Sequence, residues 1–397
     1  MQHMLEDILM TIRKERFETY WEGFQPIAYA IFDEKDVYLM NHPLCNGEPY
    51  IKFTKTAQFH ACTCILFEGV PTAIVNTTLF DSFEDVYSII AHESFHVFQH
   101  LSGESRYPDE IAGLNYSADA TNIQLRILER TALFDAFATT TPKERQQKIN
   151  EFISLRDKRA ALFPDFIKYE HAIETIEGPA FFVEYKALYD VCSEKDKIIH
   201  KYAEQLLAHK DSNIHIRTSC CSSGLFICLL LDTLSPNWKK AFFQSTVSLY
   251  QFFKNTCPSY IPVELDFLPI TEEVYDIIEE VSRTKRNTFD TFYNCEGIKL
   301  TISGTIQLAS FDPMNIVLLN KQAVHQNFIN IQLLDKSYLI KQPVCATFDK
   351  DIRDIQCIEL FVQQPPIQIE NRIIIDTIGE IEGTIVSVQP DAIHIAT

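Results

Sequence analysis

Two kinds of hydrophobic periodicity divide this sequence and predict an α+β chain. A mainly helical domain over residues 1–293 opens with a β-sheet, and an all-β module follows over residues 294–397. Three observations carry this. Strand-like patterning runs from about residue 24 to 79, helix-compatible patterning dominates from about 81 to 280, and period-two alternation returns after about Asn294. With 397 residues, 46% of them hydrophobic, the chain can bury a large core in two or more domains.

The first 17 residues mix Glu6, Asp7, Arg13, Lys14, Glu15 and Arg16 into an amphipathic pattern and lack the apolar core of a secretory signal. Residues 27–32, 62–67 and 72–77 read as strands, and Gly69 and Pro71 between the last two predict a hairpin. Residues 122–138 read as a helix. Thr141-Pro142-Lys143-Glu144 is a capping box with proline at the first helical position, so a new helix starts there. Pro164 separates it from the next helix, and Gly178-Pro179 is expected to kink or break that one. Beyond Asn294, alternation at Ile298, Leu300, Ile302, Ile306 and Leu308 and β-rich runs at 329–334, 357–362, 372–375 and 383–388 predict the terminal β module.

Charge and cysteine content narrow the function classes. A formal net charge of -19 without a Lys/Arg-rich block argues against nucleic acid and anionic membrane surfaces as partners. The most apolar run, residues 225–231, falls far short of the roughly 18 residues that cross a bilayer. Eleven cysteines, an odd number in a chain too large to need staples, read as free thiols in a reducing compartment, and a cytoplasmic location is expected. Cys62-Thr63-Cys64, near His60, could ligate metal, but the alternation through residues 61–67 favours a strand with buried thiols.

The most specific signal is His92-Glu93-Ser94-Phe95-His96. Residues four apart stack on one face of a helix, so His92 and His96 can reach a single zinc ion while Glu93 points toward an open coordination position. Zinc lowers the pKa of a water held there to about 7, and Glu93 would take its proton as hydroxide attacks a carbonyl. The flanking runs 86–91 and 97–98 are mostly apolar and free of proline and glycine, as a buried helix requires. In zinc peptidases an edge strand beside the metal commonly pairs with extended substrate, and residues 71–77 are the candidate, though a core hairpin would read the same way. The third ligand is expected to be a glutamate, because the metzincin pattern needs glycine and histidine where this chain has Gln99 and Ser102. His100 has drifted around the helix and reads as a rim histidine or one that supports the ligands from behind, with the ligand role as the lesser alternative. Glu129, Glu174 and Glu177 compete; Glu174 shares a helical face with Glu170 and Glu177 and could instead orient a ligand histidine.

The segment Glu174-Thr175-Ile176-Glu177-Gly178-Pro179-Ala180-Phe181 resembles the third-ligand segment of gluzincin metallopeptidases of the aminopeptidase N type, Asn-Glu-Gly-Phe-Ala. The resemblance implies a zincin-like catalytic domain with His92, His96 and Glu177 as zinc ligands and Glu93 as general base. A second likeness is Cys221-Ser222-Ser223-Gly224 before an apolar helix, where those enzymes have Tyr-x-Lys-Gly and the tyrosine stabilises the oxyanion; here Cys221 replaces it, and Arg217 one turn earlier could supply charge. The chain departs from the family in the longer separation of His96 from Glu177, in Pro179, and in having no Gly-Ala-Met-Glu-Asn exopeptidase segment. The resemblance covers residues 89 to about 232. It implies a zinc peptidase acting on peptides or proteins, with a zinc-bearing pseudo-enzyme or peptide-binding module as the alternative that Cys221 favours.

Overall fold

The computed structural model describes residues 2–114, 116–257, 260–265 and 269–397, and the chain is mixed α+β. It divides into two compact units, residues 1–109 with 121–270, and residues 110–120 with 271–397.

The first unit opens with α1 (Gln2–Thr11) and α2 (Lys14–Tyr20), then β1 (Ala28–Phe32), β2 (Asp36–Met40), β3 (Tyr50–Thr54), β4 (Thr63–Phe67) and β5 (Val70–Asn76). The strands form one sheet in the order β3-β2-β1-β5-β4. β4 and β5 make the expected hairpin, turned at Glu68 and Gly69, both with positive φ, the geometry of a two-residue type I′ turn. One expectation is corrected here. Residues 71–76 of that segment lie in β5, which is internal because β1 pairs with it in parallel on one side and β4 antiparallel on the other; the sheet edges are β3 and β4.

Helix α3 (Phe83–Leu101) carries the His-Glu motif, and Ser82 caps it by accepting the amide proton of Asp85. Two apolar faces fix it. Val86 and Ile90 pack on Tyr29, Ile31, Ala73 and Val75 of the sheet, whereas Tyr87, Ala91 and Phe95 enter the helical core. Each fully buried side chain of this kind contributes roughly 1.5–3 kcal/mol. His92, Glu93 and His96 are left along the seam between the two packed faces.

The helical core is completed by α5 (Ala120–Ala138), which follows a short α4 (Glu110–Leu114), and by α6 (Pro142–Leu162), α7 (Pro164–Val191), α8 (Lys195–Leu207), α9 (His209–Ile214), α10 (Ile216–Leu234), α11 (Trp238–Phe243) and α12 (Leu249–Asn255). Thr141 caps α6: its hydroxyl accepts from Glu144 N and donates to the Glu144 carboxylate at 2.6 Å. The chain restarts at Pro164 as expected, but α7 is one helix that continues through Gly178-Pro179. Its packing on α10 explains this. A Cβ on Gly178 would sit 2.8 Å from the Gly224 Cα, so the two glycines let the helices approach closely enough to hold the turn whose backbone bond proline removes. Among the described residues α10 is the one helix long and apolar enough to cross a membrane by composition, and its apolar residues 225–231 are buried in the core.

In the second unit, α13 (Glu272–Tyr293) precedes β6 (Ile298–Phe311), β7 (Ile316–Leu319), β8 (Gln322–His325), β9 (Ile329–Leu333), β10 (Lys336–Ile340), β11 (Val344–Phe348), β12 (Asp354–Val362), β13 (Ile367–Ile369), β14 (Arg372–Ile375), β15 (Gly379–Glu382), β16 (Thr384–Val388) and β17 (Ala392–Ala396). Pairing is antiparallel except between β17 and β6. The compact division lies at 270/271, ahead of α13, whose Phe289 and Phe292 pack on Val324 and Cys345. α4 belongs to the same unit: Ile111 and Leu114 pack on Ala323, Phe348 and Ile352. Patterning within one helix cannot show which layer its apolar face will meet.

Candidate metal centre

Three side chains from two helices converge. His92 and His96 on α3 bring their Nε2 atoms to 3.0 Å from each other, and Glu177 on α7 places Oε2 3.3 Å from His96 Nε2 and 3.7 Å from His92 Nε2. Four tetrahedral bonds of about 2.0–2.1 Å to a zinc ion require ligand atoms roughly 3.3 Å apart. The observed separations bracket that value.

The outer contacts set the tautomers. His92 Nδ1 donates to Glu184 Oε2 at 2.9 Å, and Tyr202 OH donates to the other oxygen of Glu184 at 2.7 Å. His96 Nδ1 donates to Gln99 Oε1 at 2.9 Å, while Gln99 Nε2 is held by the Ile176 carbonyl at 2.7 Å. With both Nδ1 atoms donating, the neutral imidazoles would each turn an Nε2 lone pair toward the Glu177 carboxylate oxygen, an arrangement that receives positive charge, whether a proton or a cation. The same field acts on protons: burial opposes a charge on His96, but the Glu177 carboxylate outweighs it and lifts the imidazole to about 9. Burial likewise opposes ionisation of Glu177, yet His96 and the Arg217 guanidinium hold its carboxyl far below the usual range. The residues therefore fit a divalent ion held by two imidazoles and a carboxylate.

Glu93 sits next to these ligands and is not one of them. Burial raises its pKa, partly offset by His92 and His96. Arg217, in the first turn of α10, reaches Glu177 Oε1 at 3.1 Å, leaving Oε2 toward the histidines. Cys221 is 4% exposed, and its thiol turns back to the Arg217 carbonyl at 3.8 Å.

The competing glutamates have other partners. Glu129 pairs with Arg156 at 2.6 Å and Arg159 at 2.8 Å, and Glu174 forms a two-pronged pair with Arg156 at 2.8 and 2.9 Å. Glu174, read as a residue that could orient a motif histidine, instead pairs with Arg156, and the carboxylate at His92 Nδ1 is that of Glu184. Sequence reasoning missed Glu184, Tyr202 and Gln99, although Glu184 stands two turns after Glu177 on one helical face and that spacing was readable. His100 is exposed at the end of α3 and takes no part in the cluster. No protein family, curated protein or solved structure matches this chain, so the reading of the site rests on its own geometry.

Proposed function

We propose that this protein is a zinc-dependent peptidase of gluzincin type, resembling aminopeptidase N-like enzymes in its ligand set, with a zincin-like catalytic domain and a peptide or protein substrate. The convergence of His92, His96 and Glu177 beside a raised-pKa Glu93 carries the reading. A bound zinc ion would supply Lewis-acid polarisation and a water of lowered pKa. Glu93 would accept a proton from the attacking water and deliver it to the leaving amine. Glu184, Tyr202, Gln99 and Arg217 keep the two imidazoles and the carboxylate aimed at one point. A cytoplasmic setting belongs to the same proposal, supported by eleven free thiols.

The second reading, a zinc-bearing binding module with little catalysis, is favoured by Cys221, whose buried thiol is a weak donor where the resemblance places a tyrosine. Digestion of a peptide library by zinc-loaded protein, with and without chelator, separates the two. The peptidase reading expects cleavage that chelator abolishes and that Glu93→Gln abolishes with zinc retained. Cleavage by Glu93→Gln at the wild-type rate would overturn the mechanism, and a zinc-loaded wild type that cleaves nothing would move the assignment to the binding module.

A further inference from the structure

Pro164, Ile167, Lys168, His171 and Thr175 recur at three- and four-residue spacing along the first half of α7 and form one wall of a cavity of about 400 Å³. Ala160 of α6, Arg106 after α3, and Thr246 and Ser248 ahead of α12 complete it, all within the first unit. That volume suits a small-molecule site. Most of the lining is apolar, and Ala160 and Ala172 keep the space open by their size.

The polar groups of the lining are mainly donors. Lys168 is exposed and has no ion pair among the described residues. Arg106 is held in place: Nε and Nη2 donate to Glu104 at 2.8 and 2.6 Å, Nη1 donates to the Val247 carbonyl at 2.6 Å, and the guanidinium lies 4.3 Å from the Phe242 ring centroid. A guanidinium carries more N–H donors than these bonds use. Ser248 Oγ accepts the amide proton of Gln251 at 3.2 Å, which leaves its own O–H to donate. Glu104 offsets the charge of Arg106 but does not line the cavity, and neither does any other carboxylate among the described residues. His171 stacks on Tyr250 at 4.6 Å and adds no charge, because burial and then the Arg156 guanidinium hold its pKa well below the usual range; its Nε2 has no hydrogen-bond partner. In a chain of net charge -19, this space is therefore lined by apolar groups, N–H and O–H donors and the uncompensated cation of Lys168.

We propose that this cavity binds a small organic monocarboxylate, with its apolar body against Ala160, Ile167 and Ala172 and its carboxylate on Lys168, Arg106 and the Thr246 and Ser248 hydroxyls. A carboxylate only accepts hydrogen bonds, so it suits a rim of donors. A single uncompensated cation matches a single negative charge, whereas a phosphate dianion would leave charge unpaired. Burial of the apolar body supplies most of the affinity, and the ion pair at exposed Lys168 chiefly selects the sign of the charge.

The site does not rest on the peptidase reading, and the experiment keeps the two apart. Octanoate is titrated into full-length protein by isothermal calorimetry, with acetate, octanol and inorganic phosphate as comparison probes. Wild type should bind octanoate saturably, and His92→Ala/His96→Ala should bind it with the same affinity, since a carboxylate can also ligate zinc. Acetate and phosphate, which lack the apolar body, should bind at least about tenfold more weakly. Octanol should lose about 5–10-fold against octanoate, as should octanoate itself on Lys168→Ala, whereas Lys168→Arg should retain it. Ala172→Phe should abolish binding by filling the cavity. On wild-type protein, octanoate should also slow acetylation of Lys168, read by mass spectrometry, which covers an Ala172→Phe protein that fails to fold. Absence of saturable binding, equal affinity in Lys168→Ala, or acetylation of Lys168 at the same rate with and without octanoate would overturn the site. Binding lost in His92→Ala/His96→Ala would place the carboxylate on the metal instead, and tighter binding of phosphate than of octanoate would overturn the monocarboxylate assignment.

Discussion

Helix α7 carries two buried charge clusters one turn apart, and they are compensated in opposite ways. Glu170 and Glu174 meet Arg126, Arg156 and Arg159, with Glu129 of α5 completing the set, so every carboxylate there faces a resident guanidinium. Glu177, three positions further on, faces two imidazoles that present lone pairs, with Glu93 and Glu184 close by and Arg217 pairing only through Oε1. The first cluster pairs each carboxylate with an arginine; the second has more carboxylate charge than paired arginine, a deficit that the divalent ion of the proposed function would fill. Identical side chains on one helical face thus become structure or chemistry according to what the neighbouring helices bring.

The largest test of this contrast is Arg159→Ala. It leaves Glu129 and Glu170 short of a partner in a fully buried setting and should destabilise the helical unit by about 3–5 kcal/mol, read by chemical denaturation. A loss below about 1 kcal/mol, the ordinary worth of an exposed pair, would mean that the arginines do not compensate these carboxylates.

Glu177→Ala should do the reverse, leaving the fold near wild-type stability while zinc per chain drops severely. Glu129→Ala and Glu174→Ala should hold most of their metal and lose stability instead. Full occupancy in Glu177→Ala, with loss in either of the others, would move the third ligand.

Acid separates the clusters along another axis. The guanidiniums overcome burial to hold Glu170 well below its ordinary 4.5. A carboxylate depressed in the folded state contributes stability present above 4.5 and lost only as pH falls through the lower folded value. Zinc bound by neutral imidazoles must leave earlier, because protons compete with it for His96, whose imidazole the Glu177 carboxylate lifts above the ordinary histidine range. Metal release should therefore precede unfolding of the helical unit as pH is lowered; simultaneous loss of zinc and of helical circular dichroism would contradict the separation.

The mildest expected effects lie in the outer contacts. Glu184→Gln should weaken zinc affinity by about 10–100-fold, and Tyr202→Phe by less, since it removes one hydrogen bond to Glu184 and leaves the carboxylate in place. A Glu184→Gln protein with wild-type zinc affinity would show that His92 needs no such orientation.

The sequence alone determined what depends on neighbours along the chain. Spacing places His92, Glu93 and His96 on one helix, Thr141 and Pro142 start α6, Pro164 starts α7, and Gly69 lies in the β4–β5 turn; each follows from local sterics and hydrogen bonding. Tertiary structure decided everything that depends on partners distant in sequence. β5 became internal through parallel pairing with β1, α7 stayed whole at Pro179 through the Gly178–Gly224 contact, and α13 joined the β unit through Phe289 and Phe292. Glu129, Glu174, Glu177 and Glu184 are the same chemical group on helical positions of similar burial. Local physics could not rank them, because the free energy of a buried carboxylate is set by the cations and donors within a few ångströms, and those arrive from α3, α6, α8 and α10 only when the helices pack.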